Sequence, residues 1–251
     1  MASLSSWLDT SLLLGLRIAP AFAFAPPFTM FAFPASFRVL FGLGLAAAMA
    51  SAHPNMMFSL GDNAGAFVAA AARELGIGVV VVLAFQLAFG ALYWAGRTID
   101  IQAGFGLATL IDPASQAQMP LVGSLFAYVA GAVFFAIGGH VELLRLLSAS
   151  LDAVPLGTWT MPHSIARLTT FMSVTLAGAF GIAASAIVVL FLIDTCIALL
   201  SRTVPQMNVL ILGFQVKTIA LLLVLPACFS LDGVLFIRLM ATTLQAVPRL
   251  F

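Results

Sequence analysis

Charge is what this chain has least of. Ten Lys and Arg stand against nine Asp and Glu in 251 residues, 8% in all and +1 net, where soluble domains carry roughly 25%. An ordinary water-soluble globule is excluded, and so is a basic surface for nucleic acid or for an acidic substrate. Cysteine is scarce too. Cys196 and Cys228 lie in separate apolar runs without C-x-x-C spacing, so neither a disulfide framework nor a zinc knuckle is expected. The sequence also lacks a P-loop, a G-x-G-x-x-G and a Ser, His and Asp order for nucleophilic catalysis, and Gly104-Phe105-Gly106 is too short to cradle phosphate. No catalysis, cofactor or metal is expected.

What fills the chain instead is hydrocarbon, 63% of residues, with mean hydropathy +1.16. The N-terminal run has no basic region ahead of it, contains Arg17 and Pro20, and lacks a small-residue cleavage site, so it is expected to be retained. Apolar segments of membrane length fall at roughly 7–24, 36–52, 66–95, 121–147, 165–200, 209–225 and 231–246. The runs 66–95 and 165–200 exceed the roughly 20 residues a span requires, which predicts tilt, projection beyond the bilayer or packing inside a larger assembly. Breaks are expected at Pro26-Pro27, Pro34, His53-Pro54-Asn55, Pro205 and Pro226. The segment Val154–His163 is the best internal boundary. Basic residues are spread too evenly to set an orientation. Ala177, Gly181 and Ser185 recur at a spacing that lets helices approach closely.

One stretch breaks the pattern. From Trp94 to Ser150 the chain carries Arg97, Asp100 and Gln102, then Gly104 and Gly106, the turn pair Asp112-Pro113, a polar run and Met119-Pro120. Non-helical polar backbone beside membrane-length segments is tolerated where it is buried in protein or lines an aqueous cavity. This loop is therefore read as the functional centre.

Three sets of side chains are candidates for chemistry. His140, Glu142 and His163 make a poor metal site, since His140 and Glu142 are two apart on a presumed helix and do not share a face; Gly138-Gly139-His140 reads more simply as a helix start. Arg73-Glu74, Asp194, Arg202 and Lys217 are charges within apolar runs. They serve a proton or ion path, or they pair with one another or with partner subunits. Arg97 with Asp100, and Glu142 with Arg145, have the spacing for local pairs. Among the apolar residues, Phe126, Phe134 and Phe135 read as packing, whereas Phe105 and Met119 suit either packing or a gate that closes by excluding water.

The C-terminal run Arg202-Thr-Val-Pro205-Gln206-Met-Asn208, followed by Gly213-Phe214 and Lys217, resembles the signature R-x-x-P-Q-x-N-x-x-x-x-G-F-x-x-K of the FliR/SctT family, export-gate subunits of flagellar and virulence type III secretion. Further matches lie in order upstream: Arg17, Pro26, Gly104, Asp112-Pro113, Gly139-His140, Ser150 and Pro155-Leu156-Gly157. Ile99-Asp100-Ile101-Gln102-Ala103-Gly104 is closer to virulence members, whereas Gly139-His140, Pro155-Leu156-Gly157 and Gln206-Met207-Asn208 favour the flagellar side.

The resemblance implies an all-α fold of membrane-associated helical hairpins, with a FliP-like part over residues 1–161 and a FliQ-like part over 162–251. It implies a non-enzymatic subunit in the bacterial inner membrane, at the flagellar basal body or the base of a secretion apparatus. Its partners would be FliP-like and FliQ-like subunits and an FlhB-like subunit, with unfolded export substrates passing along a path it helps to close. The plug would be carried by Gly104, Phe105, Gly106, Leu110, Ile111, Asp112, Pro113 and Met119. Subunit contacts would be carried by Arg202, Pro205, Gln206, Asn208, Gly213, Phe214 and Lys217. The rival reading is an ion-coupled secondary transporter, for which broken helices near the midplane would be the basis; no inverted repeat is evident.

Overall fold

The structure is a computed structural model and describes residues 4–53, 64–105, 120–160, 165–204 and 208–250. Seven helices carry these residues: α1 (Leu4–Phe24), α2 (Ala35–Ala52), α3 (Ala64–Ala103), α4 (Leu121–Ala136), α5 (Gly139–Ala153), α6 (Ile165–Thr203) and α7 (Val209–Ala246). No strand occurs among the described residues. The all-α expectation holds. Five helices, α1, α2, α3, α6 and α7, are long and apolar enough to cross a membrane, and α4 with α5 make a sixth if counted as one broken span.

Three expectations are corrected. The third helix ends at Ala103, not Ala95, so Arg97, Asp100 and Gln102 are helical rather than part of the loop. The run 121–147 is broken at Gly138, which adopts φ +72°, while a Cβ on Gly139 would stand 2.6 Å from the Phe134 ring; only glycine meets both demands. The pair 209–225 and 231–246 is one unbroken helix with Pro226 inside it. A proline costs a helix one backbone hydrogen bond, but apolar surroundings offer the freed chain no better partner than the helix itself.

Helices α3, α6 and α7 hold 40, 39 and 38 residues, about 60 Å each at 1.5 Å per residue. A bilayer core is about 30 Å thick. About half of their length therefore extends beyond one bilayer core. In the most apolar stretches of α6 and α7 only 28% and 22% is buried within the chain.

The helices pack as two compact units, one of Met1–Leu87, Phe134–Met172 and Met240–Phe251, the other of Ala88–Val133 and Ser173–Leu239. Each unit draws on both sides of residue 161.

In the first unit, α2 lies antiparallel to α1: Trp7 Nε1 donates to Ser51 Oγ, and Gly15 and Gly42 face Leu43 and Ala19. A Cβ on Gly42 would meet the Ala19 Cα at 2.6 Å, so glycine sets that approach. Helix α3 runs parallel to α1, because Glu74, Gly78 and Gln86 meet Arg17, Pro20 and Phe24 in rising order.

In the second unit, α6 and α7 form an antiparallel pair in which Gly178 faces Leu239, Ser185 Oγ donates to Asp232 Oδ2 at 2.8 Å and Ile197 faces Gly213. Phe126 of α4 packs edge-on against Phe229 and Phe236 of α7. Of the small-residue set, Ser185 is used in this pairing, while Ala177 and Gly181 are exposed.

Candidate functional site at the base of the central loop

Helix α3 needs a stop before the loop, and Gly104 supplies it. Its φ is +91°, its N–H donates to the Ile101 carbonyl at 3.1 Å, and the next N–H, of Phe105, reaches back to the Asp100 carbonyl at 3.0 Å. This paired closure satisfies two of the last carbonyls of the helix and requires a left-handed residue.

On the far side of the loop α4 begins after Pro120, whose carbonyl accepts the first helical bond, from Ser124 N. Proline has no side-chain acceptor for the free amides of the first turn. Asp100 provides one from across the loop: its carboxylate oxygens accept from Val122 N at 3.0 and 3.1 Å and from Gly123 N at 3.2 Å. A carboxylate at a helix N-terminus is doubly favoured, by the hydrogen bonds and by the helix dipole. The two ends of the loop are thereby held together. Gly96 and Gly123 make this approach possible, since a Cβ on Gly96 would lie 2.6 Å from the Gly123 Cα.

The C-terminal signature meets the same place. Lys217 of α7 is ion-paired with Asp194 of α6, and its Nζ donates to the Gln102 carbonyl at 3.1 Å, one of the last carbonyls of α3. A cation is favoured there. Gln102 Nε2 donates in turn to the Ile187 carbonyl of α6 at 3.3 Å. Phe105 stands edge-on to Phe214 with ring centres 6.4 Å apart. Lys217, Phe214, Gly104 and Phe105, drawn from both expected groups, thus converge on the loop base.

Other predicted residues are placed differently. Asn208 caps α7, its Oδ1 accepting from Ile211 N at 3.3 Å, a local role beside the expected subunit contact. Gly213 is buried against Ile197. Arg202 is exposed at the end of α6. Gly106, Leu110, Ile111, Asp112, Pro113, Met119, Pro205, Gln206 and His163 lie outside the described residues.

Among the described residues the ion pairs are Arg17–Glu74, Glu142–Arg145 and Lys217–Asp194. Arg97–Asp100, the expected local pair, is not one of them, because the Asp100 oxygens are turned to the α4 amides. The expectation that charges within apolar runs pair with one another holds for Asp194 and Lys217.

The first unit holds the polar cluster that sequence reasoning left apart. Arg17 and Glu74 are both fully buried and joined by Nε to Oε2 at 2.6 Å and Nη2 to Oε1 at 3.1 Å. The remaining Arg17 donors reach the Ser150 carbonyl, Ser150 Oγ and the Val154 carbonyl, so five donors make five bonds. Glu74 Oε1 also accepts from Gly157 N at 2.8 Å, and Arg73 donates to the Gly157 carbonyl at 2.7 Å. Arg17, Ser150 and Pro155-Leu156-Gly157 were already marked by the resemblance, but Glu74 as their partner was not. The spacing of 57 residues between Arg17 and Glu74 carries no periodic signal. This cluster pins the 154–160 segment to α3.

A family model described as bacterial export proteins, family 1, matches residues 8–243. The chain is similar to the flagellar biosynthetic protein FliR of Bacillus subtilis (strain 168), 27% identical over 263 residues, covering 100% of this chain and 97% of that protein. It is similar to FliR of Escherichia coli (strain K12), 28% identical over 187 residues and 71% of each chain. It is similar also to the Yop proteins translocation protein T of Yersinia pestis, 29% identical over 163 residues, 63% of this chain and 62% of the other.

Proposed function

The chain belongs to the family of bacterial export proteins, family 1, and from that membership we propose that it is a gate subunit of a type III protein-export apparatus, its central loop helping to close the channel. As a family member it is a component of bacterial protein export seated in the inner membrane, with helices apolar and long enough to span. The flagellar branch is favoured because the likeness to a flagellar protein runs the whole length of both chains, while the translocation protein is matched over 63% of this one. The protein works without catalysis. It acts by shape, contributing helices to a path for unfolded polypeptide.

The observation that carries this reading is apolar helix surface without cover: α6 and α7 are about twice the length a bilayer core needs, and in their most apolar stretches less than a third is buried within the chain. Neighbouring subunits supply the cover, FliP-like and FliQ-like and with them an FlhB-like one. The division into a FliP-like part, 1–161, and a FliQ-like part, 162–251, belongs to the same proposal; the α6–α7 hairpin gives the second part a form suited to stacking beside similar hairpins. The transporter reading gains no observation, and the family match over 8–243 stands against it.

Native mass spectrometry of the chain co-produced with candidate partners tests the proposal. A hetero-oligomer of fixed composition is expected. A monodisperse, folded monomer that gains nothing from the partners would contradict it.

A further inference from the structure

The first unit contains a cavity of about 340 Å³ walled by phenylalanine, with Phe22, Phe28, Phe31, Phe37, Phe41 and Phe135 among its rings. The rings brace one another: Phe22 stands 4.8 Å from Phe28 and 5.6 Å from Phe41, and Phe31 stands 5.5 Å from Phe135. Two side chains in this wall carry nitrogen, Arg38 of α2 and His140 of α5. Arg38 Nε and Nη1 and His140 Nδ1 are buried and have no hydrogen-bond partner among the described residues. A guanidinium stays charged at any accessible pH. Desolvated donors without an acceptor are among the costliest arrangements a protein holds. The same fold satisfies every donor of Arg17, so Arg38 stands out among the described residues as a guanidinium with buried donors still open to an acceptor.

The surface around the cavity says what kind. Phe33, Phe37, Leu40 and Phe41 point outward, 50–66% exposed, at spacings that put them on one ridge of the α2 side. Gly44, one turn further, has nothing within 4 Å of where a Cβ would stand. An apolar ridge ending in a notch is the shape that another helix packs against. An acyl chain needs neither. Aromatic rings around an arginine are also the composition of protein–protein hot spots.

We propose that this cavity is a socket for an apolar helix of a neighbouring subunit, which brings an Asp or Glu carboxylate to Arg38. The inference rests on the reading of the chain as one subunit of a hetero-oligomer. Within that reading it assigns a specific anchor: rings fill the contact, and one carboxylate fixes its register.

The test uses the full chain in the complex recovered from producing cells, with a benzophenone amino acid at Leu40 and mass spectrometry of the photoproduct. The expected adduct is an apolar peptide of a different subunit, with an Asp or Glu within one helical turn of the linked residue. Arg38→Glu is expected to lower recovered complex at least tenfold, and changing that acid to Arg in the same background to restore at least half. An adduct to phospholipid or to a second copy of this chain overturns the socket. So does recovery of the Arg38→Met complex at parental yield, or a failure of the reversed pair to restore it. If the unsubstituted chain brings down no other subunit, the hetero-oligomer reading itself falls; a normal parental complex with Leu40 linked elsewhere removes only the socket.

Discussion

Arg17 shows what a charge costs and secures in an apolar fold. Paired with Glu74 and bonded at all five donors, it ties α1, α3, α5 and the 154–160 segment at one point. Buried pairs of this kind are weak evidence for net stability, yet removing one partner leaves the other charge unpaired at a cost of about 3–5 kcal/mol. Arg17→Met alone and Glu74→Leu alone are therefore expected to lower the melting temperature of the assembled complex more than the two together. A thermal double-mutant cycle measures this, and additive losses would mean that the pair is not the coupling element. Asp100 works by another route, as a cap lent to α4 from across a loop. Losing a capping acceptor costs roughly 1 kcal/mol, so Asp100→Ala is expected to speed hydrogen exchange at Val122 and Gly123 while the rest of α4 stays protected. Unchanged exchange at both amides would show that the cap is dispensable.

At the scale of elements, the close approach of α3 and α4 depends on Gly96 and Gly123 having no side chains. Gly96→Val drives a methyl group into backbone. Overpacking of this kind costs typically 1–3 kcal/mol, and the expected result is a lower yield of complex with α3 and α4 parted; parental yield and melting temperature would show that the helices can separate freely. Lys217 joins α7 to α6 and to the end of α3. Lys217→Met is expected to reduce assembly before it changes what passes through the channel. A mutant complex of normal yield that gates abnormally would assign Lys217 to the path instead.

Elements were the most legible part of this chain, for a physical reason: an apolar environment forces backbone groups to bond along their own helix, so hydrophobic run length reads almost directly as helix. Reading failed where polarity was taken for irregularity. Arg97, Asp100 and Gln102 looked like loop, though the stop signal was Gly104, a glycine after the last helical turn. It failed again at Pro226, where a local breaker was overruled by its surroundings. The candidate site was half legible. Phe105, Phe214 and Lys217 could be named from the signature, but their meeting at the loop base depends on side chains more than 100 residues apart, and separations of that size leave no trace in periodicity.

At the scale of the whole molecule, long apolar helices with open faces, a family membership in protein export and a loop clasped at its base by Asp100 support the proposal of a subunit completed by its neighbours. We propose that the loop closes the channel they form. The direct measurement is ion conductance of the assembled complex in planar bilayers, taken with its yield, for the parent and for a variant in which residues 106–119 are shortened. Normal yield is expected with a conductance raised well above the parental leak, and substitution of Phe105 and Ile111 by Gly is expected to give a smaller rise in the same direction. A shortened-loop complex that assembles normally and stays as tight as the parent would contradict it.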